Sequence, residues 1–220
     1  IARSNSTLTQ DLLTRLQSLS PVVIESKPID DQTTLKLLEA LGFVSPAGEI
    51  AELARNLLNL WIIATVKSES PGFDGSSITD ETALWNRYRE TIVQRENVYF
   101  GSSRGEEVVR EIVRLAKEAL LSDDRTVVLA SPVSDIQERL LSGMLIVCTQ
   151  GRRARFKHQK LQEFFYAWDA TEQGLKLTTV IEELRPEGAA SDYLPFRLAG
   201  VLAWMAELYR RQDPTTHESL

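Results

Sequence analysis

The residues of this chain best placed to do chemistry lie in Ala154-Arg155-Phe156-Lys157-His158-Gln159-Lys160-Leu161-Gln162-Glu163-Phe164-Phe165-Tyr166-Ala167, where a predicted strand hands over to a predicted helix at a histidine. Leu161, Phe164, Phe165 and Trp168 follow the i, i+3, i+4, i+7 spacing. That spacing predicts a helix that buries one aromatic stripe and leaves Gln159, Lys160, Gln162 and Glu163 in water. His158 then stands just before the first turn. The unpaired N–H groups and the positive end of the helix dipole there favour an anion and disfavour an imidazolium. A neutral imidazole in that place can read a phosphate.

The remaining reactive groups offer less. Cys148 falls among apolar neighbours in a predicted hairpin strand and reads as a buried, inert thiol. A single cysteine excludes an intrachain disulfide, and with two histidines it also argues against a structural zinc site. No Gly-x-Ser-x-Gly elbow occurs. The acidic pairs Glu106-Glu107 and Glu182-Glu183 fall on helix faces beside the apolar stripes and read as solvated surface. A phosphate-binding loop needs Gly-x-x-x-x-Gly-Lys-Ser/Thr, and the chain has no Gly-Lys pair; neither Asp30-Asp31 nor Asp123-Asp124 follows an apolar strand.

The elements that must position His158 are mostly helical, with a small β component, in at least three blocks. In the first, residues 9–19 read as a short helix and 21–25 as a buried strand ended by Lys27-Pro28. Asp30 or Asp31 can cap a helix carrying Leu35, Leu38 and Leu41 and stopping at Gly42. One further helix is expected over residues 50–65, with Ile50, Leu53, Leu57, Leu60 and Trp61, then a loop over 67–77. Another carries Leu84, Trp85, Tyr88 and Ile92. In the second block, Val109, Ile112, Val113, Ala116 and Leu120 mark a long helix ending at Ser122-Asp123-Asp124. Residues 126–129 read as a short strand, and Ser134 caps a helix reaching Leu141. Residues 144–149 and 154–158 flank a turn at Gly151 and form a hairpin. In the third block, Leu175, Val180, Ile181 and Leu184 mark one helix. Leu198, Val201, Leu202, Met205, Leu208 and Tyr209 mark a strongly amphipathic second one, whose stripe is expected to be partly exposed and prone to self-association.

The pattern Phe-x-His-x-x-Leu-Gln-Glu-Phe-Phe-x-Ala from Phe156 to Ala167 resembles the end of the winged-helix domain in NACHT-type STAND NTPases, the class holding animal inflammasome receptors and bacterial antiviral STAND proteins. The helix, strand, helix, hairpin order before it is also the winged-helix order. The resemblance implies the end of an NTPase core over 1–25, a first helical domain over 26–100, a winged-helix domain over 101–172 and the start of a second helical domain over 173–220. It implies that His158 contacts the β-phosphate of ADP. Leu57, in Asn56-Leu57-Leu58, stands where the family has a proline against the adenine, and Arg3, in Ala2-Arg3-Ser4, where a sensor 1 arginine approaches the γ-phosphate. The cofactors implied are ATP and ADP, with Mg in the complete protein. The partners implied are an upstream NTPase core and further copies of the protein on activation, with a cytoplasmic location and a role in antiviral or innate immune defence. The start at Ile1, without an initiator Met, reads as a fragment of something longer.

Two rival readings stay open. Arg152, Arg153, Arg155, Lys157 and Lys160 concentrate positive charge on the hairpin, as a winged-helix DNA-binding module would. Against this stand the net charge of −6 and the acidic helix Ser134-Asp135-Ile136-Gln137-Glu138-Arg139 where a major-groove reader wants basic residues. A helical interaction scaffold without a ligand also fits the long amphipathic helices. A hydrophobic share of 43% and a charged share of 25% are ordinary for a soluble protein, and no run approaches the roughly 20 apolar residues of a membrane span. Without a phosphate-binding loop the isolated chain is expected to show no NTPase activity above background. Saturable phosphate release from the pure protein would contradict this.

Overall fold

A computed structural model describes residues 28–185 and 198–212, apart from positions 47, 102, 123 and 144. The expected helix over 9–19, the strand over 21–25 and Arg3 lie outside the described residues. Within them the chain is mainly helical, with a small three-stranded antiparallel sheet.

Helix α1 (Asp31–Ala40) begins as expected at Asp30, whose carboxylate accepts from the Thr33 N–H at 3.0 Å, and the chain turns at Gly42 with φ +83°. Leu38 is buried but Leu35 is exposed, so the expected stripe is narrower here. The single helix expected over 50–65 is two: α2 (Gly48–Ala54) and α3 (Leu57–Glu69). Asn56 makes the break. Its Oδ1 accepts from Leu58 N–H at 2.9 Å and Asn59 N–H at 3.3 Å, a cap that competes with helix continuation. The restart also resets the helical phase. Asn59, Ile62, Ile63 and Val66 turn inward, and Leu57 is left 60% exposed.

Helix α3 runs three residues into the expected loop, where Lys67 Nζ donates to the carbonyls of Pro71 (3.0 Å) and Phe73 (2.7 Å). Helix α4 (Glu81–Phe100) then starts at Asp80, which accepts from Ala83 N–H, and stops at Gly101 with φ +62°. Helix α5 (Gly105–Leu121) crosses it closely. A Cβ at Gly105 would overlap the Val93 carbonyl oxygen, and the Gly105 N–H donates to Asn97 Oδ1 at 2.7 Å.

Strand β1 (Val127–Val128), helix α6 (Asp135–Ser142) and strands β2 (Ile146–Gln150) and β3 (Arg153–Phe156) follow in the expected order. Ser134 caps α6, accepting from Gln137 N–H at 3.2 Å. β3 lies between β1 and β2, with Val127 and Cys148 both opposite Ala154, and Ile146 opposite Phe156. Gly151, at φ +58°, makes the turn. The expected buried thiol is a correction: Cys148 is exposed. It stands opposite buried Ala154, but it belongs to the hairpin tip, whose described residues from Cys148 to Arg153 are all exposed.

Helix α7 (Gln159–Glu172) is central. Every residue from Leu161 to Ala167 is buried, which corrects the expectation that Gln162 and Glu163 stay in water. Helix α5 and helix α9 (Leu198–Gln212) both pack against α7, so two faces are covered instead of one. The short helix α8 (Leu177–Glu183) precedes α9. The α9 stripe is not exposed either. Leu198, Val201, Met205 and Leu208 are buried and Leu202 is half-buried, because the surface they need is supplied by α7 and by Trp85 of α4.

Buried residues form one continuous cluster from Leu38 to Leu208. Overpacking a well-filled contact costs about 1–3 kcal/mol, and at Gly105 the obstructing atom is backbone that cannot swing aside. Gly105→Ala should lose stability in that range, read as a lower denaturation midpoint in urea. An unchanged midpoint would show that α4 and α5 are not in such close contact.

Candidate functional site

Strand β3 alternates exposed Arg153 and Arg155 with buried Ala154 and Phe156, then delivers Lys157 and His158 to the start of α7. The Lys157 N–H donates to the Leu145 carbonyl at 3.0 Å, which holds the strand end in place. His158 is the N-terminal boundary residue of α7, with extended backbone (φ −132°, ψ 135°), and no side chain caps that first turn. No group among the described residues hydrogen-bonds the imidazole. The donors of an uncapped helix start and of an unengaged ring therefore share one half-buried corner.

Burial lowers the tendency of His158 to protonate, and the neighbouring Lys157 ammonium adds to that. The direction is the one expected from the sequence, but the leading cause is desolvation. At neutral pH the ring is a neutral imidazole, able to donate one N–H and accept at the other nitrogen.

Trp61 is the residue that sequence reasoning did not assign to the site. Its ring centroid lies 6.1 Å from that of His158, and Lys157 Nζ lies 5.5 Å from the Trp61 centroid. Tyr88 abuts the indole edge-on at 5.6 Å and fixes it from behind. Leu57 and Trp61 are four residues apart in α3 and so share a helix face. Leu57 therefore stands at the start of the helix that brings Trp61 to His158. The i, i+4 spacing from Leu57 was the available signal. Arg3, the third chosen residue, lies outside the described residues.

Under this corner, Glu163 is buried. Gln159 Nε2 donates to its Oε1, Arg125 Nη1 approaches at 3.7 Å, and a Cβ on Gly200 of α9 would overlap the carboxylate. Desolvation raises the Glu163 carboxyl above its ordinary value, opposed by the Gln159 hydrogen bond and Arg125. Helix α6, where a groove-reading helix would be sought, is committed elsewhere. Arg139 Nε donates to buried Glu96 at 2.8 Å and its guanidinium lies 4.1 Å from the Tyr99 centroid, while Asp135 pairs with Arg104 at 2.7 Å. Among the described residues no group of three or more His, Cys, Asp or Glu side chains could hold a metal ion.

Comparison of the chain with protein-family models, with curated proteins and with solved structures finds no match. The case for a function rests on the geometry of this corner.

The Glu163 environment has a pH signature. A carboxyl raised in the fold costs stability wherever it is ionised, and the cost fades as pH falls toward the ordinary value of 4.5. Glu163→Gln is neutral throughout. Its Tm minus that of the parent should therefore be level and most positive at neutral and alkaline pH and should fall on acidification towards pH 4.5. A difference that stays flat down to pH 4.5, or grows on acidification, would mean that Glu163 is not raised.

Proposed function

We propose that this chain is the regulatory part of a STAND-type NTPase, in which a neutral His158 at the start of α7 reads the phosphate of bound ADP and holds the protein closed. The observation that carries the reading is the corner itself, where an uncapped helix start and an imidazole with no hydrogen-bond partner among the described residues lie beside the Trp61 ring of α3. On this reading residues 26–100 serve as a first helical domain, 101–172 as a winged-helix domain and 173–220 as the start of a second helical domain. ATP or ADP, with Mg, is held mainly by an NTPase core that supplies the phosphate-binding loop. The family's adenine-contacting proline is replaced by Leu57, whose exposed side chain offers an apolar contact of a different shape.

The physical mechanism is a population shift. A neutral His158 donates one N–H to a phosphate oxygen in the ADP state. ATP, with its extra phosphate, changes the anion's position relative to the helix start, and a ligand moves a two-state balance only by its differential affinity. The open form assembles with further copies, in the cytoplasm, in antiviral or innate immune defence. No helix among the described residues is long and apolar enough to cross a membrane.

The experiment uses the polypeptide that carries this chain together with its NTPase core. A hydrogen bond to a charged group contributes about 1.5–3 kcal/mol, so His158→Leu should weaken ADP binding roughly 10- to 100-fold by calorimetry. The same variant should sediment as a larger species without a trigger. Equal ADP affinities in parent and variant would remove His158 from nucleotide recognition and the proposal with it.

A further inference from the structure

The outer face of the small sheet carries a row of cations that the nucleotide reading does not use. On β3, Arg153 and Arg155 point away from the core while Ala154 and Phe156 point in, and exposed Lys157 continues the row. Alternate residues of a strand lie roughly 6.6 Å apart, so the three charges stand in a straight line on the middle strand of the sheet. Arg152, exposed at the turn, adds a further cation at one end. At the other end Lys157 lies over the Trp61 ring, beside His158.

Counter-charge is scarce along this line. Asp124 pairs with Arg153 at 2.9 Å, but both partners are more than half exposed, and such pairs yield easily to a competing anion. Among the described residues no carboxylate is paired with Arg152, Arg155 or Lys157. Several other arginines are tied down: Arg104 to Asp135 and Glu107, Arg114 to Glu111 and Glu118, Arg139 to Glu96. A chain of net charge −6 has left three cations unpaired on one strand and its turn.

We infer that the outer face of this sheet tracks the backbone of a single-stranded nucleic acid, with successive phosphates along Arg152, Arg155 and Lys157 and a base against the exposed part of Trp61. Closely spaced cations along one strand and its turn suit a polyanion with one regularly charged backbone. An aromatic at the end of the line supplies the sequence-tolerant stacking that single strands use. Duplex reading fits less well, because α6 has its one arginine bound to Glu96 and its first acid bound to Arg104.

The test is fluorescence anisotropy of a labelled 20-nucleotide oligo-thymidine with the pure chain at 50–200 mM salt. Binding should weaken with salt at a log–log slope of about −2, the value for about three phosphates neutralised on a single strand. Arg155→Glu should weaken binding by about tenfold or more. Lys36→Glu, an equal charge change on exposed α1, should leave it unchanged. Circular dichroism of each variant controls for folding, and Arg152→Ala with Lys157→Ala gives a second, milder test of the same row. Absence of binding at 50 mM salt, or equal loss with Lys36→Glu, would overturn the inference. So would competition by polyglutamate or by duplex DNA as effective as that by the single strand, since either would assign the face to another class of partner.

Discussion

Three rings hold this protein together. Trp85 of α4, Phe164 of α7 and Trp204 of α9 meet with centroids 5.1, 5.2 and 5.2 Å apart, and Phe165 extends the group at 5.5 Å from Phe164. The three inter-ring angles lie between 51° and 75°, the tilted and edge-to-face geometry that aromatic quadrupoles prefer. Each such pair contributes about 0.5–1.5 kcal/mol beyond the area it buries. Because the rings come from three helices, the cluster sets the relative placement of α4, α7 and α9. The corner at His158 depends on it, since α7 carries His158 at one end and its aromatic stripe a turn and a half further on.

Charge is handled differently at the core and at the rim. Glu96, 1% exposed, accepts from Arg95 Nε at 2.6 Å and Arg139 Nε at 2.8 Å, and so ties α6 to the far end of α4. Removing one partner from a buried set of this kind leaves an uncompensated charge, whereas exposed pairs such as Arg114 with Glu111 and Glu118 add little singly. Trp85 is also anchored by polarity, its Nε1–H lying 3.3 Å from the buried Asn59 Oδ1. The indole that packs at the centre is therefore oriented from α3, the same helix that presents Trp61 to His158.

Much of this order could be read in the residues before any coordinates. Capping residues announced themselves: Asp30 and Ser134 begin helices where their side-chain chemistry predicts, and Gly42 and Gly151 turn the chain where left-handed backbone is needed. The strand, helix and hairpin leading to His158 follow from alternation and turn residues. What could not be read depended on neighbours remote in sequence. Gln162 and Glu163 look like surface residues on a helical wheel, but α5 and α9 both pack on α7, and Gly200 of α9, nearly forty residues later, lies against the Glu163 carboxylate. Cys148 looks buried by its apolar neighbours, and only its place in the exposed tip of the hairpin leaves it open. Asn56 could have been recognised as a cap, but the leucines on both sides of it carry a helical period straight through the break. At the candidate site His158 was legible from its place before an amphipathic helix, while Trp61 became visible only through the fold.

The spacing of the three central rings along the chain bears on how the protein is made. Trp85 and Phe164 are about eighty residues apart, and Trp204 follows forty residues after Phe164. During synthesis the first two rings emerge while the third is still unmade, so the side of α7 that packs on α9 has no cover until α9 has left the ribosome. Contacts between such distant residues form late and leave hydrophobic surface open to other chains in the meantime. A nascent chain halted before residue 198 would present Phe164, Trp85 and the carboxylate of Glu163 together on one open face, the kind of surface that chaperones retain and proteases remove. Helix α9 thus acts as the cover of this aromatic face, and its arrival is the step that withdraws the three rings from other chains.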